Sequence, residues 1–376
     1  MNNVIDTEYL PDVISPPGET LHDILEERGM TQSELAERTG RPKKTINEII
    51  KGKTTLTPDT AIQLERVLGT PASFWINRER NYQEWLARQR EKQRLEEYVP
   101  WMKKFPINEM IKFGWIKKRQ DHLGKVEELL NYFGIVSPKE WEKVYESTQW
   151  RRSLIFDPNK YSISAWLRQG EIQAMKLECN QYSEVLFRQA LISIRSLTTE
   201  LPAVFIGKLV EYCSNVGVAV VFVPELSGTH AFGATRWITS DKAMILLSLR
   251  YKTDDHLWFT FFHEAAHILL HGKKDAFLEN GSSFSEKTVD GIDSINYKKE
   301  EEANQFSANL LIPKEKYDYF YQKGNFSRSE VIKFAEEIEV APGIVVGRLQ
   351  YDKIIEYNVF NDLKKKLEWP ILEDNK

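Results

Sequence analysis

Two histidines inside one apolar segment constrain the fold of this chain more than any other feature. His263 and His267 lie four residues apart in the segment LWFTFFHEAAHILLHG. Asp254 and Asp255 lie just before the segment, as acids do at a helix start, and Gly272 is its last residue, as glycine is at a helix end. The sequence therefore predicts a buried helix with both imidazoles on one face, one turn apart.

Imidazoles buried among large apolar side chains are costly unless something satisfies their nitrogens. Histidines at this spacing can bind one zinc ion, and the intervening Glu264 then projects towards a water at the open position of the metal. The alternative is a pair of hydrogen-bonded core histidines. A catalytic zinc site also needs a third protein ligand.

The third ligand is expected in a second predicted helix, Lys299 to Leu311 (KEEEANQFSANLL). Three apolar side chains predict its buried stripe: Ala303, Phe306 and Leu310. Glu302 borders that stripe and is the first choice of ligand, whereas Glu300 lies on the other border and is the second. Glu301 points away from the stripe. The pattern alone leaves the choice open.

Four short amphipathic segments follow one another between Gly18 and Leu68. The second begins at Thr31, with Glu34 three residues on in a reciprocal capping pattern. Gly40 ends it, and Pro42 starts the third segment, where the first turn of a helix tolerates proline. Two short helices joined by a glycine turn can place the second helix in a DNA major groove.

Basic residues are concentrated around the third segment. Six of them lie between Arg38 and Lys53, against one acidic residue, Glu48. Lysines suit phosphate contacts, and polar side chains at a helix start suit base edges. We expect DNA contacts from seven side chains: Gln32, Lys43, Lys44, Thr45, Asn47, Lys51 and Lys53. The alternative is a solvated charged face on an ordinary helical bundle.

Residues 18–90 contain LAERTG, a KGK turn and LGTPASFW, and they resemble the helix-turn-helix repressors of the HigA antitoxin family. The resemblance implies a homodimer that binds a double-stranded DNA operator, commonly in its own promoter. Arg41 departs from the family pattern, in which a small apolar residue usually stands at that position.

The segments HEAAHILLHG, E-A-N-x-F-x-A-x-L-L-x-P, GVAVVFVPEL and APGIVVGRLQ resemble the ImmA/IrrE family of metallopeptidases. In that family the glutamate before Ala-Asn completes the zinc site, so the resemblance implies a Zn²⁺ site of His263, His267 and Glu302. Glu264 would then be the catalytic residue that takes a proton from water. The resemblance further implies limited cleavage of a protein substrate: a repressor, a toxin–antitoxin partner or the chain itself.

Two apolar runs predict strands of a small sheet: residues 216–223 (VGVAVVFV) and 244–249 (MILLSL). A polar loop is predicted from about residue 273 to residue 297. The expected fold is multidomain, with three parts: an all-α helix-turn-helix domain (residues 1–95), a helical middle region (96–200) and an α+β, zincin-like metallopeptidase domain with a small sheet (201–376).

The composition, with 41% hydrophobic and 28% charged residues, is that of a soluble globular protein. Two cysteines are too few for a disulfide framework, and the chain contains neither a secretory signal nor eighteen consecutive apolar residues. We therefore expect a cytoplasmic protein without a membrane span.

Two functions fit these features best. The first is a DNA-binding transcriptional regulator with zinc-dependent endopeptidase activity. The second is an antitoxin-type repressor whose peptidase-like domain only senses or binds a partner. Glu264 favours the first, because a domain that only binds has no need of it. A zinc-stabilised structural protein fits worst, since structural sites normally use four protein ligands.

Overall fold

The computed structural model describes residues 14–146, 159–248, 252–272, 277–280 and 293–368. The chain forms two compact units, residues 1–99 and residues 100–376. Both are rich in helices, and the second also contains a four-stranded sheet, so the predicted multidomain fold is confirmed. The boundaries near residues 95 and 200 stay predictions. Within the described residues, no helix is both long and apolar enough to cross a membrane.

The first unit contains the four predicted helices and most of a fifth: α1 (Pro17–Glu27), α2 (Gln32–Thr39), α3 (Lys43–Ile50), α4 (Pro58–Leu68) and α5 (Ala72–Met102). Thr31 Oγ1 accepts a hydrogen bond from the Glu34 backbone N–H at 3.2 Å, so the Thr31 half of the predicted reciprocal cap of α2 is present, while Glu34 Oε1 accepts from Arg38 Nη2 at 2.6 Å. Gly18 lets α1 approach α3 closely, since a Cβ there would lie 2.1 Å from the Ile49 carbonyl oxygen. Six buried side chains form much of the core: Leu21, Leu35, Ile46, Ile49, Leu64 and Trp75.

The start of the second unit is helical, as predicted, and its described residues form four helices after α5: α6 (Ile107–Lys112), α7 (His122–Phe133), α8 (Pro138–Glu146) and α9 (Lys160–Lys176). Aromatic rings pack together between them: Trp101, Phe105, Phe133, Trp141, Tyr145 and Tyr161. Buried rings of this size contribute a large apolar area. The indole N–H of Trp166 donates to the Val223 carbonyl oxygen at 3.0 Å and so joins α9 to the sheet.

Four strands form the sheet, in the order β1-β3-β2-β4: β1 (Val218–Phe222), β2 (Ala231–Thr239), β3 (Lys242–Leu247) and β4 (Phe277–Asn280). β1 is parallel to β3, and β2 is antiparallel to both of its neighbours. The two predicted strands are confirmed as β1 and β3, although Leu249 lies outside the described residues. The prediction of a continuous loop over 273–297 is wrong, because β4 lies within it and the next helix begins at Asp293.

Helices pack around the sheet: α10 (Glu184–Ser196), α11 (Pro202–Ser214), α12 (Asp254–Leu270), α13 (Asp293–Leu311), α14 (Lys314–Gln322), α15 (Arg328–Glu337) and α16 (Pro342–Tyr351). α12 is the predicted histidine helix, and it is buried along nearly its whole length. Trp258, Phe261 and Phe262 are fully buried in the core that α12 shares with α16 and β3. The predicted buried helix is therefore confirmed.

The segment after α16 holds the first turn of α12. The Asp254 backbone N–H donates to the Lys365 carbonyl oxygen at 3.0 Å. Lys364 Nζ lies 2.7 Å from Asp255 Oδ2, and both side chains are buried. A buried ion pair of this kind fixes register, since each charge would be costly without the other.

Candidate metal centre and nucleic-acid interface

α12 and α13 bring two imidazoles and one carboxylate together. His263 Nε2 and His267 Nε2 lie 2.9 Å apart on successive turns of α12. Glu300 Oε2, from α13, lies 3.2 Å from His263 Nε2 and 3.6 Å from His267 Nε2. Ligand atoms of these three residues all fall within 4.8 Å of one another, which makes them a candidate metal site.

Of the two candidate glutamates, the structure brings Glu300, the second choice, beside the two imidazoles, and which glutamate binds a metal stays a prediction. Glu302 is turned away from the two imidazoles, and its Oε2 lies 3.3 Å from His271 Nε2. The expected buried stripe of Ala303, Phe306 and Leu310 is wrong in part, because the buried side chains among those described for α13 are Ala303, Ser307 and Leu311. Glu300 stands in line with that face at helical spacing. The second choice of ligand is thus the residue beside the histidines.

Ser307 fixes how the two helices face each other. Its Oγ donates to the Phe259 carbonyl oxygen of α12 at 2.9 Å. Ser307 is fully buried, so this hydrogen bond joins the two helices where they pack together. Glu300 lies two turns before Ser307 along the same face of α13.

The charge states of His267 and Glu300 suit a cation. Burial lowers the pKa of His267 to about 4, so its imidazole is neutral near pH 7. Burial alone would raise the pKa of Glu300, but its contacts with His263 and His267 outweigh that effect and lower the pKa to about 2. Two imidazoles and an ionised carboxylate form a donor set that fits zinc.

Glu264 follows His263 on α12 and faces the sheet. It is fully buried. Thr235 Oγ1 of β2 donates to the Glu264 backbone oxygen at 3.2 Å, and a Cβ added to Gly233 would lie 2.8 Å from Glu264 Oε1. β2 therefore packs directly on this carboxylate and leaves no room for a side chain at position 233. Glu264 thus lies on α12, next to the first of the two histidines.

Partners of the two imidazoles extend the site and were missed in the sequence. Asn304 Oδ1 lies 2.9 Å from His263 Nδ1, and His271 Nδ1 lies 2.8 Å from His267 Nδ1. The spacing of His271, four residues after His267, was a usable signal. The sequence favours a different role for it, since a histidine in the last turn can offset the helix dipole.

Phe277 of β4 covers one side of the site. Its ring stacks on the imidazole of His267 with centroids 3.8 Å apart and planes 10° apart. The side chain of His263 is only 2% exposed and that of His267 is fully buried. Large molecules therefore have little access to the imidazoles in this conformation.

In the first unit, α3 presents the expected DNA-contacting residues to solvent. Lys43 and Lys44 are exposed in its first turn, and Lys51 and Lys53 are exposed just after its end. Thr45, Asn47 and Gln32 are partly exposed, with Gln32 the first residue of α2. Ile46 and Ile49 are buried in the core of this unit, and Ile50 is partly buried against it.

Arg41, the departure from the family pattern, is accommodated at the edge of this unit. Its Nε donates to Gln63 Oε1 of α4 at 2.5 Å. The side chain thereby bridges the turn before α3 to α4.

Two family models match the chain, one in each unit. Residues 21–75 match the helix-turn-helix model, and residues 213–350 match the IrrE N-terminal-like domain of peptidase family M78. The chain therefore joins a helix-turn-helix domain to an IrrE-like domain. The second match contains His263, Glu264, His267 and Glu300, whereas α6 to α10 lie outside both matches.

Several known proteins are similar to part of the chain. The HTH-type transcriptional regulator YddM of Escherichia coli, described as uncharacterized, is 31% identical over 61 residues, which are 16% of this chain and 65% of that protein. An addiction module antidote protein of the HigA family from Coxiella burnetii is 27% identical, with a TM-score of 0.21, and the match covers 22% of this chain and 92% of that one. PA4674 from Pseudomonas aeruginosa, solved with its operator DNA, is 28% identical, with a TM-score of 0.22, over 23% and 93% of the two chains.

Proposed function

We propose that the chain is a DNA-binding transcriptional regulator with zinc-dependent endopeptidase activity. The observation that carries the proposal is the convergence of His263, His267 and Glu300 beside Glu264 on a buried helix. The match of residues 213–350 to a peptidase family supports it. The helix-turn-helix match and the exposed lysines of α3 support binding to operator DNA, with a homodimer as the form that binds.

His263, His267 and Glu300 would hold the zinc ion. When bound, zinc lowers the pKa of a water towards 7 and polarises a peptide carbonyl. In this proposal Glu264 accepts a proton from the attacking water and returns it to the leaving amine. Phe277 and the buried surroundings exclude bulk water, which strengthens charge interactions inside the site.

The substrate class follows from the architecture. A site this enclosed suits an extended segment of a protein better than a folded surface. We propose limited cleavage of a repressor or of a toxin–antitoxin partner, with cleavage within the chain itself as a further form of the same reaction.

A second function is favoured by one specific observation. Phe277 stacks on His267, and Glu264 is fully buried, so the site is closed to large substrates in this conformation. A closed site is what a repressor would have if its peptidase-like domain only senses or binds a partner. The two proposals differ in whether Glu264 is needed for regulation.

The test compares wild type with Glu264→Gln, and uses Glu301→Gln on the exposed side of α13 as the matched control. New protein N-termini are identified in cells that express each form. We expect cleavage sites with wild type and the control that are absent with Glu264→Gln, while zinc content and DNA affinity stay the same in all three. If regulation persists in Glu264→Gln and no new N-termini distinguish it from wild type, the binding-only function is correct.

A further inference from the structure

We infer that Asn304, His271 and Glu302 are positioning residues that fix the ring protons of the two metal-binding histidines. Asn304 acts on His263, and a His271–Glu302 pair acts on His267. The inference rests on the proposed metal site and concerns side chains that contact its histidine ligands without being ligands themselves. It gives a role to Glu302, which is not placed to be a ligand.

The first step concerns His263. Its Nε2 faces His267 Nε2 and Glu300, so Nε2 is the atom available to a metal. A neutral imidazole that binds through Nε2 carries its proton on Nδ1. That N–H donates to Asn304 Oδ1 at 2.9 Å. Asn304 lies one turn after Glu300 on α13, so one helix face supplies both a ligand and a partner for the histidine.

The second step concerns His267, whose partner is a chain of two groups. Its Nδ1–H donates to His271 Nδ1 at 2.8 Å, so His271 must accept there and carry its own proton on Nε2. His271 Nε2 in turn lies 3.3 Å from Glu302 Oε2. The carboxylate only accepts when ionised, so it ends the chain and sets the direction of both hydrogen bonds.

The backbone and the burial of His271 allow it to accept a hydrogen bond from His267 and to donate one to Glu302. α12 ends at Leu270, and His271 adopts an extended backbone with φ −116° and ψ 162°. Its side chain is only 2% exposed, although Glu302 is 44% exposed. The relay thus runs from a buried ligand to a carboxylate at the surface. A histidine that only offsets the helix dipole would need neither the contact with His267 nor the contact with Glu302.

The physical consequence is a higher affinity for metal. An imidazole held in the correct tautomer and orientation loses less freedom on binding, and an acceptor on its N–H raises the basicity of the other nitrogen. Loss of such a partner typically weakens metal binding 10–100-fold.

The test measures the zinc dissociation constant by competition with a chromogenic chelator, with the full-length chain. The variants Asn304→Leu, His271→Phe and Glu302→Ala remove one partner each. We expect about 10–100-fold weaker zinc binding for the first two and a smaller loss for Glu302→Ala. The conservative variants Asn304→Asp and Glu302→Gln keep an acceptor oxygen and should bind zinc nearly as tightly as wild type. Glu301→Ala is the control.

Non-additivity separates a relay from general loosening of the fold. His271→Phe combined with Glu302→Ala should bind zinc no more weakly than His271→Phe alone, because the single change already breaks the chain. Circular dichroism identifies any variant that does not fold. In that case the zinc affinities of the conservative variants Asn304→Asp and Glu302→Gln test the inference. Equal zinc affinity in wild type and in folded Asn304→Leu and His271→Phe would overturn the inference. No zinc binding by wild type would instead overturn the proposed function.

Discussion

Glu300 Oε2 lies 3.2 Å from His263 Nε2, although 37 residues separate the two in sequence. This relationship joins α12 to α13 and defines the candidate site. It depends on the Ser307 contact with Phe259 and on the packing of α12 against the sheet. The site is therefore a product of the tertiary fold, and predictions about it also test the fold around it.

Gly233 is the position of β2 that lies against Glu264. The substitution Gly233→Ala would place a Cβ 2.8 Å from Glu264 Oε1 and 2.6 Å from Thr260 Cγ2. We expect zinc binding to persist, peptide cleavage to fall, and the free energy of unfolding to drop by about 1–3 kcal/mol through overpacking. Gly207→Ala is the matched control, because a Cβ there meets nothing within 4 Å. Unchanged cleavage in Gly233→Ala would contradict the assigned role of Glu264.

The buried carboxyl of Asp254, at the start of α12, predicts a dependence of stability on pH. Burial raises its pKa from 3.8 to about 6, against hydrogen bonding by the Lys365 backbone N–H, which lowers it. Because the pKa is raised, the folded state is favoured when Asp254 is protonated. This contribution to the free energy of unfolding is fully present below pH 3.8 and is lost as pH rises through 6. Above pH 6 the free energy of unfolding is therefore lower by about 3 kcal/mol, at about 1.4 kcal/mol per pKa unit.

The measurement for Asp254 is urea unfolding of metal-free wild type and Asp254→Asn at pH 4 and pH 7, followed by tryptophan fluorescence. Asparagine keeps the acceptor oxygen and does not titrate. The free energy of unfolding of Asp254→Asn minus that of wild type should rise by up to about 3 kcal/mol from pH 4 to pH 7. Other titrating groups cancel in this comparison. A difference that does not change with pH would show that Asp254 is not the responsible group.

The sequence was sufficient to predict the histidine helix and the first unit. α12 has a strong apolar pattern with clear start and stop signals, and α2 and α4 have local caps at Thr31 and Thr57. Signals of this kind depend only on residues close in sequence, so they can be recognised without knowledge of the tertiary fold.

Other features depend on tertiary contacts that the sequence does not reveal. Consecutive residues of α13 differ by about 100° in direction, so Glu300 and Glu302 lie on opposite sides of the helix, and only its packing against α12 decides which of them faces the histidines. β2 contains Gly233 and Arg236, which break the apolar pattern, and it is stabilised by its pairing with β3 and β4. Strands of mixed composition are specified mainly by such neighbours.

The DNA interface is tested by removing the charges of α3. Replacing Lys43 and Lys44 by alanine should weaken operator binding, because both lysines are exposed at the start of the helix. If each neutralises one phosphate, the slope of log K against log salt should fall in magnitude by about 1.8. Lys92→Ala, on the exposed part of α5, is the control. Equal salt slopes for wild type and the double variant would mean that α3 is not the recognition helix.

The ring of Phe277 controls access to His267. The substitution Phe277→Ala removes the ring that stacks on the imidazole. We expect zinc transfer to a strong chelator to become faster, and cleavage of short peptides to increase if the closed site limits activity. Phe326→Ala, a change to a ring that packs against Phe320 in another part of the core, is the control for general loosening. Identical transfer rates in wild type and Phe277→Ala would show that β4 does not restrict the site.

Zinc stoichiometry by elemental analysis tests the central claim most directly, with wild type, His263→Ala, Glu300→Ala and Glu302→Ala dialysed against the same zinc buffer. We predict about one zinc per chain in wild type, little in His263→Ala and Glu300→Ala, and zinc retained with lower affinity in Glu302→Ala, as for an open site with three protein ligands. Full occupancy in Glu300→Ala together with loss in Glu302→Ala would contradict the assignment of Glu300. Wild type without zinc would contradict the metal site altogether.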